Sequence, residues 1–160
     1  MAFAISTPAV DSTFVPFAPG VESGAAALYY RVKSVAGELP RRVTVFARLS
    51  APSMVDGRAA TLCAVHLCYE GSAAAALHRI SAGLAPGDLP EPPAAAAEEI
   101  AGESRTSAGR VRFALPDAAL LAPGDLVYLA VEVEFTEHNR EFRIYSTAVE
   151  VSDAVAAAVV

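Results

Sequence analysis

The stretch Leu126–Val151, LVYLAVEVEFTEHNREFRIYSTAVEV, decides the fold class. In its first half Val127, Leu129, Val131, Val133 and Phe135 alternate with Tyr128, Ala130, Glu132 and Glu134. A period of two sets five apolar side chains on one face of an extended strand. In the second half, Glu141 to Val151, the residues Phe142, Ile144, Ser146 and Ala148 share one phase. With a two-residue turn at His138-Asn139 the halves make one hairpin. Phe135 then faces Phe142, Val133 faces Ile144 and Leu129 faces Ala148. The same register sets Glu134 beside Arg143, an opposite-charge pair worth about 0.2–1 kcal/mol. The turn itself fits less well. A type I′ loop favours Asn-Gly over His-Asn, so a looser loop over Thr136–Arg140 is the other option.

Working outward, the remaining strands follow from the same alternation. Residues 2–6 and 13–17 are short apolar pieces, and Pro16 confines the second to a sheet edge or an extended arm. In Ala25–Val35, Leu28, Tyr30 and Val32 share a phase against Tyr29, Arg31 and Lys33; in Arg42–Leu49, Val43, Val45, Ala47 and Leu49 do. Ala60–Tyr69 is apolar on both faces, with Thr61, Cys63, Val65, Leu67 and Tyr69 one way and Leu62, Ala64, His66 and Cys68 the other. That suits a central strand, or one whose second face meets a partner. Ser72–Ser81 reads as a strand in spite of its alanines. Pro93 followed by Ala94–Ala101 and Gly102 predicts a two-turn helix. Glu103–Gly109 has no apolar anchor and is expected to be mobile. Val111, Phe113 and Leu115 form another strand, and Ala118–Leu121 one helical turn.

The count is seven to nine strands with turn signals between them and at most one short helix. We therefore expect an all-β, antiparallel β-sandwich, immunoglobulin-like or jelly-roll-like. The whole of 1–160 fits one domain, with 1–12 and 152–160 as extended arms. Leu121–Val131 resembles the tyrosine corner that leads into strand F of fibronectin type III and immunoglobulin-like domains. In those families the tyrosine is in phase with the inward residues, whereas Tyr128 is out of phase with Val127, Leu129 and Val131. The resemblance supports the architecture and assigns no family.

Composition narrows the function classes. A net charge of −6 with Arg41-Arg42 as the only adjacent basic pair argues against nucleic acid. No uncharged apolar run reaches the length of a membrane span. The apolar start lacks a basic n-region, so no signal peptide is read and cytoplasmic synthesis is expected. Cys63 and Cys68 are five apart, which on a regular strand puts them on opposite faces, so they are expected to be unlinked. Charged residues are 19% of the chain and apolar ones 54%, against roughly 25% and 45–50% in ordinary domains. Contacts between subunits would relieve such a surface.

No motif announces catalysis. Gly20-Val21-Glu22-Ser23-Gly24 has its serine one place late for a nucleophile elbow. Glu132 and Glu134 read as a charge ladder beside Arg143. His66, Cys68 and His78 lack the fourth ligand and the spacing of a zinc site. We expect no enzyme, cofactor or metal. The leading expectation is a structural subunit working through protein–protein contacts, by self-association or docking on an assembly such as a virion or filament. Its interface would draw on the outward Tyr29, Tyr128 and Tyr145 and on Val155, Val159 and Val160 of the tail. The alternative is a ligand- or carbohydrate-binding β-sandwich using the same tyrosines, with the absence of tryptophan counting against it.

Overall fold

A computed structural model describes residues 2–8, 14–16, 19–26, 28–49, 51–86, 96–100, 102–121, 123 and 125–153. The strands are β1 (Ala2–Pro8), β2 (Phe14–Pro16), β3 (Val21–Ala25), β4 (Tyr30–Ser34), β5 (Arg41–Leu49) and β6 (Met54–Val55). They continue as β7 (Arg58–Glu70), β8 (Ala75–Pro86), β9 (Ala96–Glu99), β10 (Ala108–Leu120), β11 (Asp125–Phe135) and β12 (Glu141–Asp153). One sheet runs β10-β7-β12-β4-β3, with β1 pairing β12 and β6 pairing β7; the other runs β2-β5-β11-β8-β9. The protein is an all-β antiparallel sandwich. Without the short additions its two sheets are β10-β7-β12-β4 and β5-β11-β8-β9, the strand order of a jelly roll.

That order corrects the hairpin. β11 pairs with β8 along its whole length and with β5 over Val127–Phe135, and β12 pairs with β7, β4 and β1, so the two lie in opposite sheets. Both halves keep their inward alternation: Val127, Leu129, Val131, Val133, Phe135, Phe142 and Ile144 are buried in one core. They meet across the sandwich. Alternation only requires each strand to bury one face, and a facing sheet satisfies it as well as a neighbouring strand does. Sheets about 10 Å apart are bridged by a few extended residues, which Thr136–Arg140 supply. Asn139 adopts φ 60°, a left-handed conformation that asparagine tolerates. The loop bonds outward: the Thr136 N–H donates to Ala74 O at 3.1 Å and the Asn139 N–H to Ser34 O at 2.7 Å. Glu134 pairs with Arg42 at 3.2 Å and Arg105 at 3.3 Å instead of Arg143.

Bulges correct the phases of other strands. The β12–β7 register shifts between Ile144 and Ser146 and again between Glu150 and Val151. The first shift leaves Tyr145 as the extra residue, so Thr147, Val149 and Val151 are buried after it instead of Ser146. The second leaves Cys63 extra, so Leu62 and then Val65, Leu67 and Tyr69 all reach the core. Cys63 and Cys68 are both half-buried and unlinked. Leu28 lies in the turn between β3 and β4 and is 78% exposed.

Two predicted helices are strands. Ala96–Glu99 pairs with Arg79–Ala82 of β8. Alanine's helical preference is a few tenths of a kcal/mol per residue and a two-turn helix is marginal in water, whereas the β8 edge offers a row of unmet backbone groups. Residues 94, 95 and 101 lie outside the described residues. Ala118–Leu120 belongs to β10, whose register breaks between Ala114 and Ala119, around Pro116, which has no N–H for the ladder. Gly102–Arg105 forms a 3-10 turn, and the Arg105 side chain donates to Leu77 O at 3.4 Å. Among the described residues no helix is long and apolar enough to cross a membrane.

Candidate functional site

Four crossings gather at one end of the sandwich: residues 35–40, 71–74, 102–107 and 136–140. Besides the bonds from the last crossing, the Gly71 N–H donates to Ser107 O at 3.2 Å. His138 ties two crossings together, its Nδ1 3.0 Å from Ser34 Oγ and its Nε2 3.0 Å from Gly37 O. Because the carbonyl can only accept, Nε2 carries a proton and, in the neutral ring, the Ser34 hydroxyl donates to Nδ1. This serine–histidine contact was invisible in the sequence, the two being 104 positions apart. Ser34 is fully buried, so its contact with His138 is structural.

Beside this end, on the outward face of the first sheet, cross-strand registry builds two polar rows. Glu22, Lys33 and Glu141 stand opposite one another across β3, β4 and β12; Arg31, Arg143 and Glu70 do so across β4, β12 and β7. Arg31 directly opposes Arg143, an arrangement that repels on its own. Glu141 resolves it, lying 3.7 Å from Arg31 and 3.1 Å from Arg143. Tyr29, in the turn that enters β4, extends over this hub. The Arg143 guanidinium lies 4.7 Å from its ring centroid, and its hydroxyl donates to Glu141 Oε2 at 3.4 Å. The extra residue Tyr145 packs edge-on to Tyr29, centroids 5.7 Å apart. Its hydroxyl donates to Glu70 Oε2 at 2.8 Å, and that bond pushes the phenol pKa up.

These rows form one side of an open cleft of about 440 Å³. Lys33, Glu70 and Arg143 line it from the sheet, Tyr29 from the turn before β4, and Gly71, Ser72, Asn139 and Arg140 from two crossings. Gly71 is there for space. A Cβ on it would stand 2.9 Å from Arg105 O and 3.4 Å from Phe142 Cε2, so no larger residue fits without moving backbone.

The predicted interface tyrosines separate. Tyr29 and Tyr145 come together at the cleft. Tyr128 goes to the opposite sheet and is only 3% exposed, flanked in register by Arg48 and Gly83, with the Arg48 guanidinium 5.6 Å from its ring. Its place on adjoining hairpin arms with Tyr145 is thereby overturned. Val155, Val159 and Val160 lie outside the described residues. Ala2–Pro8 of the first proposed arm pairs along β12.

No protein-family model matches the sequence, and no curated protein does. Among solved structures the chain is similar to a family 35 carbohydrate binding module from Clostridium thermocellum. The identity is 12%, the TM-score 0.43, and the match covers 95% of this chain and 99% of that one. It is also similar to a cleaved adhesin domain of Lys-gingipain from Porphyromonas gingivalis (13% identity, TM-score 0.42, 94% and 98% covered). A third similar structure comes from work on carbohydrate-binding modules of the β-sandwich superfamily (14%, 0.40, 92% and 54%).

Two other polar clusters are ion-pair networks. On the second sheet His78, the extra residue of a β8 bulge, lies 3.4 Å from Glu132. Burial works against the charge of Glu134, but the Arg42 hydrogen bond and the Arg105 and Arg42 charges outweigh it and hold the pKa low. On the first sheet Arg112 donates to both oxygens of Glu150, at 2.8 and 3.0 Å, and His66 lies 3.0 Å away. His66 and His78 thus sit in different sheets, each with its own carboxylate. Among the described residues no three metal-binding side chains converge.

The Arg112 hydrogen bonds, with His66, hold Glu150 down at about 2. A carboxylate held below its unfolded value, near 4.5, stabilises the fold fully above that value and loses the contribution as pH falls toward 2. Arg112 is half exposed, and solvent screening leaves about 1 kcal/mol. Glu150→Gln is expected to reduce the fall in melting temperature between these pH values by about 2–4 °C. An unchanged fall would show that the network carries no net stability.

Proposed function

We propose that the protein is a non-catalytic binding module whose cleft takes a carbohydrate. The observation that carries this reading is the standing of Tyr29 in an open cleft among both donors and acceptors. A sugar presents a C–H face and a rim of hydroxyls, each both donor and acceptor. An aromatic ring suits the first, and the Glu70 carboxylate, Asn139 amide, Ser72 hydroxyl and Lys33 ammonium suit the second. The volume is within the usual range for small-ligand sites, roughly 300–1,000 Å³. An open groove lets a chain extend beyond the contacted units.

Self-association was expected from the scarcity of charge. Among the described residues the exposed large hydrophobics are Leu28, Val35, Leu39, Met54 and Leu120, and they lie in turns, crossings and strand ends without forming a stripe on one strand. Much of the apolar excess is alanine, and several of the alanines, such as Ala60, Ala64, Ala75, Ala82 and Ala148, are buried within the strands.

The test is calorimetric titration with oligosaccharides first selected on a glycan array. Tyr29→Ala is expected to weaken binding about tenfold or more, the usual consequence of removing an aromatic anchor. A protein that binds no glycan and elutes as an oligomer would return the weight to assembly. Binding indifferent to Tyr29→Ala would move the site elsewhere.

A further inference from the structure

The charged groups of the cleft are unequally engaged. Glu141 is occupied by Arg143, Arg31 and the Tyr29 hydroxyl, and Arg143 is committed to Glu141 and the Tyr29 ring. Glu70 accepts the Tyr145 hydroxyl. Two cations lining the cleft are held loosely by comparison. Lys33 Nζ is 3.9 Å from Glu22, a carboxylate that Arg31 also approaches at 3.7 Å. Arg140 is 4.0 Å from Glu137, both side chains more than half exposed. Separations near 4 Å between partly exposed side chains are weak pairings, readily exchanged for a better acceptor. An anionic group in the cleft would offer both cations short, charge-assisted hydrogen bonds.

Resting on the carbohydrate reading, we propose that the ligand is an acidic glycan whose carboxylate or sulfate is taken by Lys33 and Arg140. Its hydroxyls go to Glu70 and Asn139 and its ring to Tyr29. Lys33 is the only lysine of the chain, and β4 presents it at the cleft opposite Glu141. The protein as a whole carries a charge of −6 and repels polyanions, so an acidic ligand must be selected by a local contact, not by the overall field.

The experiment titrates the whole chain with oligosaccharides of polygalacturonate, alginate and hyaluronan, each as the free acid and as its methyl ester. Fragments of dextran sulfate and of unsulfated dextran form the second arm, and neutral cello- and manno-oligosaccharides the third. At least one anionic form is expected to bind about tenfold more tightly than its neutralised counterpart. The arm in which this occurs tells carboxylate from sulfate. The preference should vanish in Lys33→Gln/Arg140→Gln, with the melting temperature kept, and return with Lys33→Arg/Arg140→Lys. If anionic and neutralised forms bind equally, and binding still depends on Tyr29, the acidic preference is wrong and the carbohydrate site stands. If no glycan of any arm binds, both are wrong.

Discussion

Val131→Asp is expected to leave no folded protein. Val131 lies at the middle of β11, opposite Val45 on β5 and Ile80 on β8, and all three are 1% exposed or less. The carboxylate would point into the space between the sheets, where every neighbour is apolar. An unpaired buried charge costs several kcal/mol, and protonation only exchanges it for an unmet hydroxyl. Whole domains have about 5–15 kcal/mol of stability. The variant should be insoluble, or soluble without a cooperative melt by circular dichroism. A native-like melt would place Val131 outside the core.

Phe142→Ala comes next, at about 3–5 kcal/mol. The ring is fully buried, lies nearly parallel to Tyr69 at 5.8 Å, and supports Gly71 from beneath. Removing it empties the end of the core where the crossings meet, so two effects should appear together. The melting temperature should fall by roughly 6–20 °C, and glycan affinity should fall because the 71–72 wall loses its support. A loss under about 1 kcal/mol would mean that the crossing end repacks freely.

Strand alternation was legible because each strand buries one face, and that demand is local. It placed Val127–Phe135, Val43–Leu49 and Val111–Leu115 inward. Which strands become neighbours is not a local property. Glu134 beside Arg143 looked like a confirmed pair, yet each found other partners, Arg42 and Arg105 for one and Glu141 for the other. In a chain with eighteen acidic and twelve basic residues, such coincidences arise in several registers. Bulges hid the rest. One extra residue at Tyr145 and another at Cys63 reverse every side chain beyond them, and neither position carries a glycine or proline to announce it. The site shows the same division. Tyr29 and Tyr145 could be singled out as outward, but their meeting depends on β4 and β12 being neighbours. Tyr128 has an equally outward phase and ends up covered. Glu70 reaches the cleft from the end of β7, and Gly71 and Asn139 through crossings whose gathering only the sheet order determines.

The most direct test of the cleft as the binding site is amide chemical-shift mapping of the labelled protein, titrated with the tightest glycan from the array. The expected result is a contiguous set of shifts at residues 29–33, 70–72 and 139–145, with the outward face of β5, β11 and β8 unchanged. Saturable binding whose shifts fall on that second sheet, or at the opposite end of the sandwich, would contradict it.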